Sequence, residues 1–131
     1  MAGASALITV SITVGNGNPI TLEANTIDLT GGADSITSTG NILLRPKTNG
    51  RDIGIAAVSG QFDLSAAEMT ALTDGFNAIT IGRTGGSGLV TIGNVTFNDP
   101  VTILAPHPAG VMTVTGAVVS SDPVTFTAGS L

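Results

Sequence analysis

The chain has 131 residues and a formal net charge of −5. Its 42% hydrophobic content is enough for one domain with a real core. Only 10% of residues are charged, which excludes a disordered, charge-rich chain, and the lack of cysteine excludes disulfide and thiol chemistry. Four basic residues and neither Trp nor Tyr leave no footprint for a nucleic acid and no aromatic girdle for a transmembrane β-barrel; no apolar run is long enough for a spanning helix.

Residues 1–6, MAGASA, lack the charged start and long apolar core of a signal peptide, so an exported form would take its signal from a longer precursor. Ile8, Val10, Ile12 and Val14 alternate with polar or small residues, which predicts a strand closed by the turn residues Gly15-Asn16-Gly17-Asn18-Pro19. Short alternating runs follow at Ile20 with Leu22, Ile27 with Leu29, Ile36, and Ile42 with Leu44. Arg45, Lys47 and Arg51 form the only basic cluster and read as a solvated turn.

The segment from Leu64 differs in kind. Ser65 is placed to cap a helix, and Glu68 three residues on can reach back to the Ser65 N–H, a capping box. Leu64 and Met69 are spaced as a hydrophobic staple, Met69, Leu72 and Phe76 form one stripe, and Gly75 can end the helix. These features predict a short helix over roughly 65–75, inserted between Phe62 and Ile79, whose apolar stripe covers a flank or an open end. Strand pairs resume at Ile79/Ile81, Val90/Ile92, Val101/Ile103, Met112/Val114 and Val124/Phe126.

The order of these pairs carries a period. Asp99-Pro100-Val101-Thr102 and Asp122-Pro123-Val124-Thr125 lie 23 residues apart, and Asn18-Pro19-Ile20-Thr21 is a weaker echo. Ile20/Leu22 and Ile42/Leu44 are 22 apart, as are Val90/Ile92 and Met112/Val114; Ile79/Ile81, Val101/Ile103 and Val124/Phe126 follow at 22 and 23. A period in the low twenties, punctuated by Gly, Asn, Asp and Pro, predicts an all-β fold. Its specific form is a parallel β-solenoid of five to six coils over residues 1–131, about 25–30 Å long at the usual strand spacing. Thr21, Thr80, Thr91, Thr102 and Thr125 would face outward, and Gly15, Gly31, Gly32, Gly40, Gly82, Gly93 and Gly116 would serve corners. An immunoglobulin-like sandwich is the structural rival, since it also uses short strands with frequent turns.

The stretch FDLSAAEMTALTDGFNAITIGR (62–83) followed by LVTIGNVTFNDPVTI (89–103) resembles a module of very large bacterial surface proteins. These are the filamentous-haemagglutinin-like, β-strand-repeat exoproteins and adhesins. ITLEANTIDLTGGADSITSTGNILLRPKTNGRDIGI (20–55) resembles their coils, so the likeness covers most of residues 20–127. The capped helix before Ile-Thr-Ile-Gly is its distinctive part. The resemblance implies a right-handed parallel β-helix, secretion, and a stalk or adhesive role. The chain departs from that family in being short and in lacking an export domain.

No residue set reads as a catalytic, cofactor or metal site. His107 stands alone between Pro106 and Pro108, without the partners a zinc site needs. The aspartates Asp28, Asp34, Asp52, Asp63, Asp74, Asp99 and Asp122 are scattered among turns. Asp99 and Asp122 are spaced to stack, which raises weak calcium binding, but the nonapeptide Gly/Asp repeat of calcium β-rolls is absent. Gly82-Arg83-Thr84-Gly85-Gly86-Ser87-Gly88 lacks the ending of a phosphate loop and reads as a flexible corner or protruding turn. Thr37-Ser38-Thr39, Thr113-Val114-Thr115 and Thr125-Phe126-Thr127 do not recur at one period, so no ice-binding rank is expected.

The expectation is therefore a non-enzymatic structural module of an extracellular or cell-surface fibre, stalk or adhesin, with no cofactor. Unpaired edges at Leu7–Val14 and Val124–Thr127 predict end-to-end self-association into filaments. The alternative is a module that binds glycan or protein through Arg83–Gly88 or Pro106–Gly110. Neither nucleic acid nor membrane insertion is expected.

Overall fold

The computed structural model describes residues 5–8, 12–15, 17–57 and 60–130. They form fifteen short strands and one helix, in five sheets. Every strand pairing among the described residues is parallel. The chain is thus all-β with parallel sheets, and the parallel pairing removes the antiparallel sandwich.

The longest sheet joins β3 (Ile20–Glu23), β6 (Asn41–Arg45), β9 (Ala78–Gly82), β12 (Val101–Ala105) and β15 (Val124–Ala128) as neighbours in that order. Ile20, Ile42, Ile79, Val101 and Val124 are partners in register, and Leu22, Leu44, Ile81, Ile103 and Phe126 form a second column beside them. Three of the four steps in each column have the expected 22–23 spacing. Alternation decides which face each residue takes: in β12, Val101, Ile103 and Ala105 are buried while Thr102 and Leu104 are half-buried on the other face. Thr21, Thr80, Thr102 and Thr125 share that outer face, Thr21 and Thr125 exposed and Thr80 and Thr102 half-buried, and Leu43 fills the gap between Thr21 and Thr80.

A four-stranded sheet orders β13 (Val111–Val114), β10 (Leu89–Ile92), β7 (Ile53–Ile55) and β8 (Phe62–Leu64). Val90 pairs with Met112 and Ile92 with Val114, as their spacing predicts. Three two-stranded sheets complete the set: β1 (Ser5–Ile8) with β4 (Thr26–Leu29), β2 (Ile12–Thr13) with β5 (Ile36–Thr37), and β11 (Val95–Phe97) with β14 (Val118–Ser120). The single run expected over Ile8–Val14 is therefore two strands with different partners; Val10 and Asn16 lie outside the described residues. One buried cluster runs from Ile20 through Ile36, Phe62, Leu72 and Phe97 to Met112, and Ile12 and Val14 pack against it.

Two features interrupt the period. Ile42 pairs with Ile79 at an offset of 37 residues instead of 22, so the intervening chain carries an insertion. Within it, β8 runs parallel to β7 at an offset of only nine, Ile53 opposite Phe62. Parallel neighbours ordinarily need a connection of a dozen residues or more. Here the chain doubles back tightly because Gly60 crosses directly over the Gly54 backbone, where a Cβ on Gly60 would collide with the Gly54 nitrogen.

The second feature is α1 (Ala66–Met69), much shorter than the helix expected over 65–75. Its start is as expected: the Ser65 hydroxyl accepts the Glu68 N–H at 3.1 Å and the Glu68 carboxylate accepts the Ser65 N–H at 2.8 Å. Its end is set elsewhere in the chain. Asp34 and Ile36 donate their N–H groups to the carbonyls of Thr70 and Ala71, Thr73 donates back to Ile36, and Leu72 bridges Ile36. The N–H groups of Thr70, Ala71 and Leu72 still close tight turns on Ala67, Glu68 and Met69, but the Thr70 and Ala71 carbonyls are taken by Asp34 and Ile36 and the helix goes no further. Leu72 and Phe76 still join the core, though not on a helical stripe.

The glycines divide by task. Gly32 and Gly82 have φ of 93° and 107°, a conformation that side chains resist, and Gly82 ends β9 rather than lying between strands. Gly93 and Gly116 are required by close approach: a Cβ on Gly93 would strike the Ala56 carbonyl, and one on Gly116 would lie 2.5 Å from the Asn94 nitrogen.

Candidate functional site

Polar groups converge in three places. The first lies on the outer face of the longest sheet. Glu23 on β3 stands opposite Arg45 on β6, whose Nε donates to the Glu23 carboxylate; Arg83, just beyond β9, donates to the same oxygen at 3.2 Å. Arg83 also donates to Asn49 Oδ1 at 2.8 Å and to the Pro46 carbonyl at 2.9 Å. The hydrogen bond from Arg45, more than its charge or that of Arg83, holds the Glu23 carboxyl below the usual carboxylate range. Beside this cluster runs an open groove of about 330 Å³, floored by Leu43 and Leu104 and edged by Thr21, Thr80 and Thr84.

The expected basic cluster is not a free cationic patch. Arg45 is held by Glu23, and Arg51 donates to the Asn25 carbonyl at 2.6 Å; Lys47 is exposed. The sequence reading missed that Arg83 joins Arg45 across one carboxylate. The sequence held a signal for one of the two partners, since Glu23 and Arg45 are 22 residues apart like Ile20 and Ile42.

The second place is the seat of α1. Glu68 Oε2 closes the capping box, and Glu68 Oε1 accepts the Leu29 N–H at 2.9 Å, tying the helix to β4 across 39 residues. One carboxylate thereby serves two backbone donors. A cleft of about 450 Å³ beside α1 is lined by Asp34, Met69, Thr70, Asn94 and Thr96, with no convergence of acid, base and nucleophile among them.

The third is Asp99. Asp99 is a buried residue, 5% exposed overall, and its carboxylate accepts the Gly75 N–H at 2.9 Å, closing the turn that follows the insertion. Burial pushes its pKa up; the Gly75 and Phe76 backbone hydrogen bonds pull against this, while Asp74 and Asp122 add to it. Asp122 lies one strand further on, as Val101 pairs with Val124, and it is exposed, accepting the Ser121 hydroxyl at 3.2 Å. The two aspartates thus occupy equivalent places, each two residues before a paired strand position, and the Asp122 charge is felt at Asp99. Among the described residues, no group of three or more His, Cys, Asp or Glu side chains is placed to hold a metal ion.

The remaining expectations fall on loops. The glycine-rich segment is a corner but not a protruding one. Ser87 donates to the Asn49 carbonyl at 2.8 Å, Gly86 accepts the His107 N–H at 3.0 Å, and a Cβ on Gly88 would lie 2.5 Å from the Arg51 carbonyl. It is packed between two neighbouring loops, which leaves its backbone little freedom. His107 tops the next loop, exposed, with Nδ1 accepting the Ala109 N–H at 3.0 Å. The three Thr-x-Thr sites belong to β5, β13 and β15, which are in three different sheets. Among the described residues, no helix is long and apolar enough to cross a membrane. No family model, no curated protein and no solved structure matches the chain.

Proposed function

We propose that this chain is a non-catalytic structural module: a right-handed parallel β-helix of five to six coils, forming a segment of an extracellular fibre, stalk or adhesin. The observation that carries the reading is the pair of five-membered apolar columns, Ile20 to Val124 and Leu22 to Phe126, held in one parallel register. A chain that returns to the same sheet always in the same direction, at 22–23 residues in three of the four steps and at 37 across the insertion, is the economical description of a coil. The handedness, the secretion and the surface location come from the resemblance to filamentous-haemagglutinin-like proteins.

The work of such a module is mechanical. Hydrogen bonds between neighbouring coils run along the rod, so a pull along its axis loads many of them at once. The open strand edges at its ends allow head-to-tail stacking into filaments. Electron microscopy and sedimentation of the purified chain test this. Rods of constant width that lengthen with concentration are expected; a species that stays compact and monomeric at high concentration contradicts it.

A second reading, loop-mediated binding of glycan or protein, draws on the exposed tip at His107, Pro108 and Ala109. A glycan array with hits that vanish when residues 107–109 are replaced would favour it over the purely structural one.

A further inference from the structure

We propose that the outer edge of β15 receives β3 of a second copy of this chain, in parallel register, with Val124 beside Ile20 and Phe126 beside Leu22. This rests on the stacking reading above and specifies its joint. β15 and β3 are the two ends of the same five-stranded sheet and run in the same direction, so a copy displaced along the stack presents β3 to β15 without rotation of the strand.

The backbone pattern sets the register. The Ile79 N–H donates to the Pro100 carbonyl at 2.8 Å, and the Val101 N–H donates to the Pro123 carbonyl at 3.0 Å. In both, the amide of the first inward residue of the column bonds to the carbonyl of the proline that precedes the next strand. The next donor in that series is Val124 N–H, and the matching acceptor is the carbonyl of Pro19, which stands before β3 as Pro100 and Pro123 stand before β12 and β15.

The side chains agree with it. Ile103 is 0% exposed under the strand that follows it, whereas Phe126, its register partner, is 37% exposed at the end of the column. Leu22 of the copy would cover it. Two residues before each strand, Asp122 already acts against Asp99, and the position that would stack next is Asn18. A neutral amide there avoids a third carboxylate in the pile. Val124–Ala128 carries no charge and no proline, the usual devices that block edge pairing. The edge of β13 differs, since Val111 is already bridged by Ser130 of its own chain.

The absence of cysteine makes the test clean. In the double variant Thr21→Cys/Thr125→Cys both positions are exposed, and within one molecule they stand four strand spacings apart, ~19 Å, beyond disulfide reach. In the proposed joint they are neighbours at one spacing. Mild oxidation should give a ladder of covalent multimers, at least ten-fold more than Thr21→Cys/Thr102→Cys gives at the same concentration. An equal yield from both pairs, or no ladder from the first, overturns the joint. If the unmodified chain still forms concentration-dependent rods, the register alone is wrong; if it stays monomeric, the stacking reading falls with it.

Discussion

β12 and β15 are the same strand twice: Val101 and Val124 are partners, as are Ile103 and Phe126, and each run follows an Asp-Pro pair. Yet Ile103 is fully buried and Phe126 is 37% exposed. The same contrast separates Ile92 from Val114 in the neighbouring sheet, 0% against 47%. Alternation alone fixes which face a residue takes, but burial requires a further strand to close over it. The core of this protein is therefore made by stacking, and its outermost strands are core positions left uncovered.

That difference gives the largest expected effect. Ile103→Ala removes a fully enclosed side chain and should cost about 2–5 kcal/mol of stability. Phe126→Ala, made in the monomer, should cost only about 1–2 kcal/mol, in proportion to its partial burial. Chemical denaturation of the two variants measures both; equal losses would mean that β15 is covered as completely as β12.

Asp99 and Asp122 sharpen the same comparison through polar groups. Asp99→Ala leaves the Gly75 N–H without its acceptor and should cost about 1–3 kcal/mol, whereas Asp122→Ala, exposed, should be nearly neutral. Asp99→Asn keeps an acceptor and removes the charge. Because the folded protein raises the Asp99 pKa, ionisation favours the unfolded chain: its contribution is greatest at low pH and declines as pH rises above 3.8 through the folded value. Denaturation curves across that range should show the decline in the parent chain and its loss in Asp99→Asn.

Glu68→Ala breaks the capping box and the Leu29 tie together and should cost about 1–2 kcal/mol, while Glu68→Gln retains part of both. Thermal melts of the pair would show whether the insertion is anchored as described; identical melts for Ala and the parent chain would show that it is not. The smallest effect belongs to Glu23 at the opposite end of the sheet. Its depressed pKa contributes stability above the ordinary carboxylate value of 4.5, lost as pH falls through the folded value. Glu23→Gln should flatten that acid limb slightly, more at low salt than at high.

Much of the strand register was legible in the sequence because one spacing recurs. Ile20, Ile42, Val101 and Val124 each precede a second inward aliphatic or aromatic by two residues, and parallel strands at fixed offset must align such pairs. The helix start was legible for the same local reason, since Ser65 and Glu68 need only each other. Its end was not, because Ile36, more than thirty residues upstream, claims the backbone of residues 71–73. The doubling back at β8 was hidden as well: it depends on Gly60 passing over Gly54, and neither glycine advertises a partner. The same holds for the side chains that close one turn onto another, where Asp52 accepts from Leu89 and Asn94 from Ala117. Their partners sit one strand away in space but 37 and 23 residues away in sequence.

Amide hydrogen exchange resolved by residue tests the stacking account most directly, by comparing β12 with β15 at low and high protein concentration. β12, bonded on both sides, should be protected throughout; Val124 and the other outward amides of β15 should exchange rapidly when dilute and become protected as concentration rises. Equal protection of the two strands when dilute, or fast exchange at β15 at every concentration, would contradict it.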